Sequence, residues 1–246
     1  MSARRVSAGI VGLLLILAGI VAGVALLGQT PTAGLRLGLR AAIVALALTG
    51  WFLSQALIST RPVSTTRIGD ILHDLTAPWH GYLLSHRRAA NAVLIASSAC
   101  IDLFGLLLVG LGIFGPSLRP FVALLILFVL RQLAQALCAL PVPPQMIWRH
   151  PGFPSLLVTY GVANDFFFSG HTAIAVLGAI QIARLFPWWL GLIAAIVAVL
   201  EGSVVIVLRA HYTMDVFTGA VTALWVWSAA SFLAHRLDPL LGTLLH

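Results

Sequence analysis

The strongest constraint on how this chain can fold is a series of long apolar stretches that recur along nearly all of its length. Seven can be counted: 9–28, 41–59, 89–114, 118–140, 169–186, 188–208 and 212–234. A helix that crosses the hydrocarbon core of a bilayer needs roughly 20 apolar residues. The pattern therefore predicts an all-α, polytopic transmembrane bundle of seven helices, with no room left for a soluble domain.

The charged residues indicate lipid surroundings rather than water or nucleic acid. Only 9% of the residues are charged and 60% are hydrophobic, whereas soluble domains carry about 25% charged residues. The formal net charge is +7, but the basic residues, all of them Arg, are spread over several loops, which argues against a nucleic-acid partner. Anionic lipid head groups or a phosphate-bearing substrate fit this charge better. The use of Arg alone, with much Ala, Leu and Val, is typical of a GC-rich bacterial genome, so the expected location is a bacterial cell membrane.

Both long polar connections fall on the side of the membrane that holds the N-terminus. In a seven-span trace, residues 60–88 and 141–168 share that side with the short connection 209–211, while 29–40 form a loop on the opposite side. Apolar residues at helical spacing in the first of them predict an amphipathic helix at the interface: Ile68, Ile71, Leu72 and Leu75. Chemistry at a membrane face is therefore expected on this side.

The strongest local signal lies where a polar loop gives way to an apolar helix, at residues 164–172, Asn-Asp-Phe-Phe-Phe-Ser-Gly-His-Thr. Ser169 can cap that helix, and Gly170 lets a ligand approach the backbone closely. The amides and positive dipole of a helix start bind anions such as phosphate. His171 would then stand beside the phosphate, within reach to exchange a proton. A polar cap that merely ends the loop is the alternative.

A second motif opens the last apolar helix, at residues 209–215, Arg-Ala-His-Tyr-Thr-Met-Asp. His211 and Asp215 are four positions apart and share one face of a helix. A carboxylate there can fix the tautomer of the imidazole and stabilise its cationic form. The other ring nitrogen then becomes a nucleophile toward phosphorus. The alternative is a structural His–Asp pair, but both motifs start helices on the same side, as a composite active site requires.

Together the two motifs resemble the sphingomyelin synthase family, a branch of the type 2 phosphatidic acid phosphatase superfamily. Arg131 precedes the run Leu-Pro-Val-Pro at 140–143 at the distance found in that family, and Asp165 matches an Asp of its pattern. The resemblance covers residues 60–235. It implies a six-span catalytic core over 41–246, to which residues 1–40 add an N-terminal transmembrane helix and loop.

The resemblance also implies a His-His-Asp triad that works without metal or cofactor. His211 would attack phosphorus and form a phospho-His intermediate, Asp215 would orient His211, and His171 would protonate the leaving alcohol and then deprotonate the acceptor. The donor would be a phospholipid and the acceptor a lipid alcohol, such as a ceramide or a diacylglycerol; in the phosphatases the acceptor is water. Contacts to substrate are expected from Arg131, Asp165, Ser169, Gly170, Tyr212 and Arg209.

Three functions stay open at this point: a head-group transferase, a lipid phosphatase or phospholipase-like hydrolase, and a non-enzymatic transporter or scaffold. The chain has no Lys and has Val204 and Val205 where the broad phosphatase pattern has Ser-Arg, which favours the synthase branch. Charges within a span are costly and are therefore candidates for function or pairing. Arg131 and Asp102 lie at similar depth on successive spans, so an ion pair is the alternative to phosphate contact. Glu201 is expected to be structurally paired.

The compartment that the site faces is left open by two opposing observations. The side with both long loops carries more Arg than the other, which by the positive-inside rule predicts the cytoplasm. A phosphate site gathers Arg for its own reasons, however, and the family resemblance implies the outer or lumenal face.

Overall fold

The structure is a computed structural model that describes residues 33–58, 68–160 and 166–241. Every regular element in these ranges is helical: α1 (Ala33–Ile58), α2 (Ile71–Leu75), α3 (Ala77–Ser85), α4 (Arg87–Phe114), α5 (Arg119–Leu137), α6 (Gly170–Leu185), α7 (Trp188–Val207) and α8 (Thr213–Leu241). The predicted first span, 9–28, and the candidate residue Asp165 lie outside the described residues.

Within the described ranges, five helices are long and apolar enough to cross a membrane, and they lie within or coincide with α1, α4, α5, α7 and α8. The sixth apolar helix, α6, has only 16 residues. The predicted all-α membrane bundle is confirmed, and each predicted span from 41–59 onward corresponds to one of these helices. The polar connection before α4 holds two short helices, α2 and α3, where a single amphipathic helix was expected.

The predicted loop at 29–40 is wrong for residues 33–40, because α1 already begins at Ala33. The charge at Arg40 suggested a helix end, but its side chain is completely buried. Its Nη1 lies 3.3 Å from the carbonyl oxygen of Gly115 and 3.4 Å from that of Ile113. The guanidinium thus binds the unpaired carbonyls at the C-terminal end of α4, which lets a charged residue remain within a membrane helix.

Helix α6 lies among α4, α5, α7 and α8 and contacts all four. Small residues permit this close packing, as they commonly do between membrane helices. A Cβ atom on Gly191 of α7 would lie 2.8 Å from Cα of Ala183, and one on Gly178 would collide with the ring of Phe104. The start of α6, which carries the first motif, is consequently held inside the bundle.

Asp102 of α4 and Glu201 of α7 have structural partners. Both carboxylate oxygens of Asp102 accept hydrogen bonds, at 2.8 Å, from the amides of Leu156 and Leu157. The ion pair between Asp102 and Arg131, which was the alternative to phosphate contact by Arg131, is not formed among the described residues. Instead, the connection after α5 folds back against α4 and supplies these amides. Glu201 accepts a hydrogen bond of 2.5 Å from Ser97, as its predicted structural pairing requires.

Candidate active site

The two motifs meet at one end of the bundle, where main-chain contact joins them. The amide of Ser169 donates to the carbonyl oxygen of Asp215 at 3.0 Å. One turn further along α8, a Cβ on Gly219 would lie 2.6 Å from the carbonyl oxygen of Ser169. Only glycine allows so close an approach. The starts of α6 and α8 therefore have a fixed position relative to each other.

His211 lies in the turn between α7 and α8, and a main-chain carbonyl orients its ring. Nδ1 lies 2.8 Å from the carbonyl oxygen of Phe166, to which it must donate a proton because a carbonyl only accepts. Asp215 Oδ2 is farther from the same nitrogen, at 3.7 Å, and accepts from the amide of Tyr212 at 2.9 Å. Phe166 therefore sets the tautomer that leaves Nε2 unprotonated, and Asp215 adds negative charge beside the ring.

The turn before His211 contains a left-handed residue, Arg209, with φ of 54°. Such a conformation costs about 1–2 kcal/mol for a residue with a Cβ. Neighbouring contacts hold it in place: Arg209 Nη1 donates to the carbonyl oxygen of Pro144 at 3.2 Å, and the amide of Ile147 donates to that of Leu208 at 2.8 Å. Arg209, predicted to contact substrate, thus ties this turn to the connection after α5.

His171 occupies the first turn of α6, behind the cap that the sequence predicted. Ser169 Oγ accepts a hydrogen bond of 3.3 Å from the amide of Thr172. The ring of Trp148 meets the imidazole of His171 edge to face, with centroids 5.1 Å apart. In the described structure, Nε2 of His171 is buried and has no hydrogen-bond partner. A buried polar atom of this kind ordinarily has one, so this nitrogen is available to a ligand.

A pocket lies between the two histidines, and both of them line it. His171, His211 and Gly170 line its polar side together with Arg131, and apolar side chains such as Ile101 line the other side. Arg131 Nε donates to the carbonyl oxygen of Phe168 at 3.0 Å. A Cβ on Gly170 would stand 3.2 Å from that Nε. The guanidinium therefore adds positive charge beside the start of α6, where a phosphate would be held.

The candidate residues divide into those at the pocket and those behind it. His171, His211, Arg131 and Gly170 line the pocket. Ser169 and Asp215 are completely buried and support the two helix starts. Tyr212 is buried with its ring 5.5 Å from that of His73, and like Arg209 it is not among the residues that line the pocket.

The sequence reasoning missed a clamp that the segment from Asp70 to His80 forms on the turn between α7 and α8. Asp70 accepts from both the amide and the hydroxyl of Thr213, each at 2.6 Å. His73 Nε2 donates to the carbonyl oxygen of His211 at 2.9 Å, and His80 Nδ1 donates to that of Val207 at 2.8 Å. The only signal in the sequence was the density of polar residues in this loop.

Acid is expected to weaken this clamp. Burial alone would raise the pKa of Asp70, but the hydrogen bonds from Thr213 and His73 outweigh it and lower that pKa. Burial, aided by the charge of Arg209, lowers the pKa of His80. Both groups thus bind protons less readily in the folded chain than in the unfolded one, so stability should fall as pH falls, from about pH 6.5 for His80 and about pH 4 for Asp70.

The measurement is Tm of the protein in nanodiscs from about pH 8 to about pH 2.5, a range that includes the ordinary His pKa of about 6.5 and extends below the ordinary Asp pKa of about 4. His80→Gln should flatten the upper part of the curve and Asp70→Asn the lower part. His235→Gln, which changes an exposed histidine of α8, should leave it unchanged. Identical curves for all four proteins would show that the clamp does not titrate.

Comparison with known families gives a match that covers the two motifs. Residues 163–232 match the family model described as PAP2 superfamily C-terminal. The matched segment contains His171, His211 and Asp215, so it covers both motifs at the pocket. The match supports the superfamily that the sequence resembles and does not distinguish the sphingomyelin synthase branch within it. Comparisons with curated proteins and with solved structures found no match.

Proposed function

We propose that this membrane protein transfers a phospho-head group from a phospholipid to a lipid alcohol through a phospho-His intermediate. The observation that carries the proposal is the pocket that His171 and His211 line together, with Arg131 beside them. The superfamily match supports lipid chemistry of the phosphatase or phosphotransferase type. Of the helices that line the pocket, α1, α4 and α5 are long and apolar enough to cross a membrane, which is where such substrates reside.

In the first half-reaction, Nε2 of His211 attacks the phosphorus of the donor. A P–N bond forms while the P–O bond to the donor alcohol breaks, and the alcohol leaves with a proton from His171. The Nδ1–H of His211 stays hydrogen-bonded to the carbonyl oxygen of Phe166 throughout. The carboxylate of Asp215, 3.7 Å away, stabilises the positive charge on the ring, and Arg131 with the start of α6 neutralises the phosphoryl oxygens.

In the second half-reaction, His171 takes the proton of the acceptor hydroxyl. The acceptor oxygen then attacks phosphorus and the P–N bond breaks, which regenerates His211. A ceramide- or diacylglycerol-like alcohol gives a new phospholipid. The apolar side of the pocket, formed by Ile101, Phe128 and Ile174 among others, favours such an acceptor over water.

Hydrolysis is the second candidate, because the matched model is that of the broad superfamily and not of the synthase branch. Water would take the place of the acceptor alcohol at the same histidines. The product would then be free phosphate or a phospho-alcohol, with no new phospholipid.

Purified protein incubated with a mixed lipid extract, with products identified by mass spectrometry, decides between the two. If the protein transfers head groups, the amount of one lipid class should fall as that of another rises equally. With the His211→Ala variant, neither amount should change. Release of phosphate or phospho-alcohol without a new lipid selects the hydrolase. No product of either kind from the unaltered protein would rule out both and leave a transporter or scaffold.

A further inference from the structure

The segment that carries the clamp has two different sides. Between Asp70 and Ser85 the buried side chains are His73, His80 and Leu83, and the two histidines bind the turn between α7 and α8. Large apolar side chains on the opposite side, which we call the outer stripe, are more than half exposed: Ile71, Leu75, Trp79 and Tyr82. They recur every three or four residues, as on one face of a helix. An exposed apolar stripe of this kind marks a surface that contacts a partner.

The position of the segment in the chain places the outer stripe at a membrane face. Helix α3 ends at Ser85, and α4, which is long and apolar enough to cross a membrane, begins at Arg87. The ring of His86, the single residue between them, stacks on that of Tyr82, with centroids 4.0 Å apart. Trp and Tyr side chains are enriched where a membrane meets water, which fits Trp79 and Tyr82. The bilayer is therefore the apolar neighbour nearest to the outer stripe.

Three arginines, which we call the basic cluster, lie where this segment meets α4. Arg87 and Arg88 open the helix and are exposed. Arg149, from the connection after α5, reaches the same place, because its Nη2 donates to Oδ1 of Asn91 at 3.0 Å, one turn into α4. None of the three forms an ion pair with another described residue. Cations at the start of a helix are disfavoured by its dipole, so the phosphates of an anionic lipid complement this cluster.

The protein alone holds the segment through few contacts. Its attachment to the turn between α7 and α8 consists of hydrogen bonds at Asp70, His73 and His80, and Leu83 is the one buried apolar side chain between 70 and 85. Segments with few buried apolar contacts open locally at low free energy. If the outer stripe lies in the bilayer, an opened segment stays beside the turn, so its hydrogen bonds re-form at a high effective concentration.

We propose that the outer stripe and the basic cluster form a binding surface for anionic phospholipids, and that lipid bound there stabilises the clamp on the turn that carries His211. The binding surface is independent of the proposed function. An effect of the lipid on catalysis rests on that function, because it would act through the position of His211.

The experiment measures hydrogen–deuterium exchange of the full chain in nanodiscs of phosphatidylcholine alone and in nanodiscs that also contain phosphatidylglycerol. The amides to follow are those of 71–85, in the segment itself, and of 207–213, in the turn that it clamps. Phosphatidylglycerol should slow the exchange of both about tenfold, the effect expected of one or two Arg side chains near an anionic surface. Equal exchange in the two kinds of nanodisc would overturn the proposal and leave the surface to another protein or to a second copy of this chain. Slower exchange at 71–85 alone would overturn the link to the clamp.

Two double variants separate the basic cluster from charge in general. Arg87→Gln with Arg88→Gln should abolish the response of the exchange rates to phosphatidylglycerol. Arg184→Gln with Arg236→Gln removes the same charge from exposed positions near the far ends of α6 and α8, and should keep that response. An equal response in the two double variants would exclude the basic cluster as the binding site.

Leu75→Gln tests the outer stripe independently of charge. Leu75 is 65% exposed, so the change removes apolar surface without leaving a cavity in the bundle. The amides of 71–85 should exchange faster in both kinds of nanodisc, while those of α5 stay as they were and show that the fold is intact. Unchanged exchange at 71–85 would mean that the stripe does not contact the bilayer, against the proposal.

A turnover assay of the same nanodiscs separates this proposal from the proposed function. Lipid-dependent exchange in a protein that turns over no phosphorylated lipid would refute the proposed function and keep the binding surface. Turnover in a protein whose exchange does not respond to phosphatidylglycerol would do the reverse.

Discussion

His211→Ala is expected to reduce turnover of the lipid donor by a factor on the order of 10⁴ or more, because the nucleophile itself is lost. In the structure, Nδ1–H of His211 donates to the carbonyl oxygen of Phe166, with the two heavy atoms 2.8 Å apart. This leaves Nε2 unprotonated, as a nucleophile must be. The loss should appear in kcat, with KM little changed, since Arg131 and the start of α6 remain to bind phosphate. Turnover is measured with a short-chain donor in detergent.

Asp215→Asn is the matched comparison. An asparagine keeps the shape of the side chain and removes its charge, while the carbonyl oxygen of Phe166 still holds Nδ1–H. Its effect should therefore be smaller than that of His211→Ala, about 10²-fold, as for a lost charge at a transition state.

Acid-labile phosphate on His211, trapped by rapid quench, should be seen in the unaltered protein and be absent from His211→Ala. Equal turnover of His211→Ala and the unaltered protein would exclude the mechanism.

His171→Ala is expected to lower turnover by about 10²- to 10⁴-fold for a natural phospholipid. The reason is that an alkoxide leaves poorly unless a proton reaches it, and the imidazole of His171 at the pocket wall is the group placed to supply one. For a nitrophenyl phosphodiester, whose phenolate leaves without a proton, the loss should be only about tenfold or less. The difference between the two substrates measures the general acid catalysis by His171.

The control for this experiment is the same pair of substrates with Arg131→Gln. Arg131 lies at the same pocket but acts on the phosphate charge and not on the leaving group. It should therefore slow both substrates by a similar factor. A loss in His171→Ala that is equal for the two substrates would mean that His171 binds or supports the site and does not act as the acid.

The helices could be placed from the sequence because lipid leaves a spanning segment no other way to pair its backbone groups. The start of α1 was misplaced since a charged residue, Arg40, interrupts the apolar run, and its partners near Gly115 lie 75 residues away in the chain. The same limit applies to Asp102, whose partners come from the connection after α5. Such long-range contacts leave no periodic pattern.

The site was predictable to the extent that it depends on helix starts. The capping pattern placed Ser169 before α6, and the spacing of four placed Asp215 near His211. The shared helix face predicted for that pair is wrong, because α8 begins only at Thr213 and His211 lies in the turn before it. The carbonyl of Phe166 comes from 45 residues before His211, and a carbonyl oxygen carries no signature of residue type. The clamp by Asp70 on Thr213 spans 143 residues. Contacts of that kind depend on how the connections fold over the bundle, which local pattern does not encode.

The bond between the amide of Ser169 and the carbonyl oxygen of Asp215 has a consequence for biosynthesis. A chain enters the membrane from its N-terminal end, and α8 follows every other helix of the pocket in chain order. Until α8 has been inserted, Asp215 is missing and the first motif lacks its main-chain partner. The arrangement of the two motifs around the pocket is therefore completed only when the last helix has been inserted, and a half-made protein lacks it.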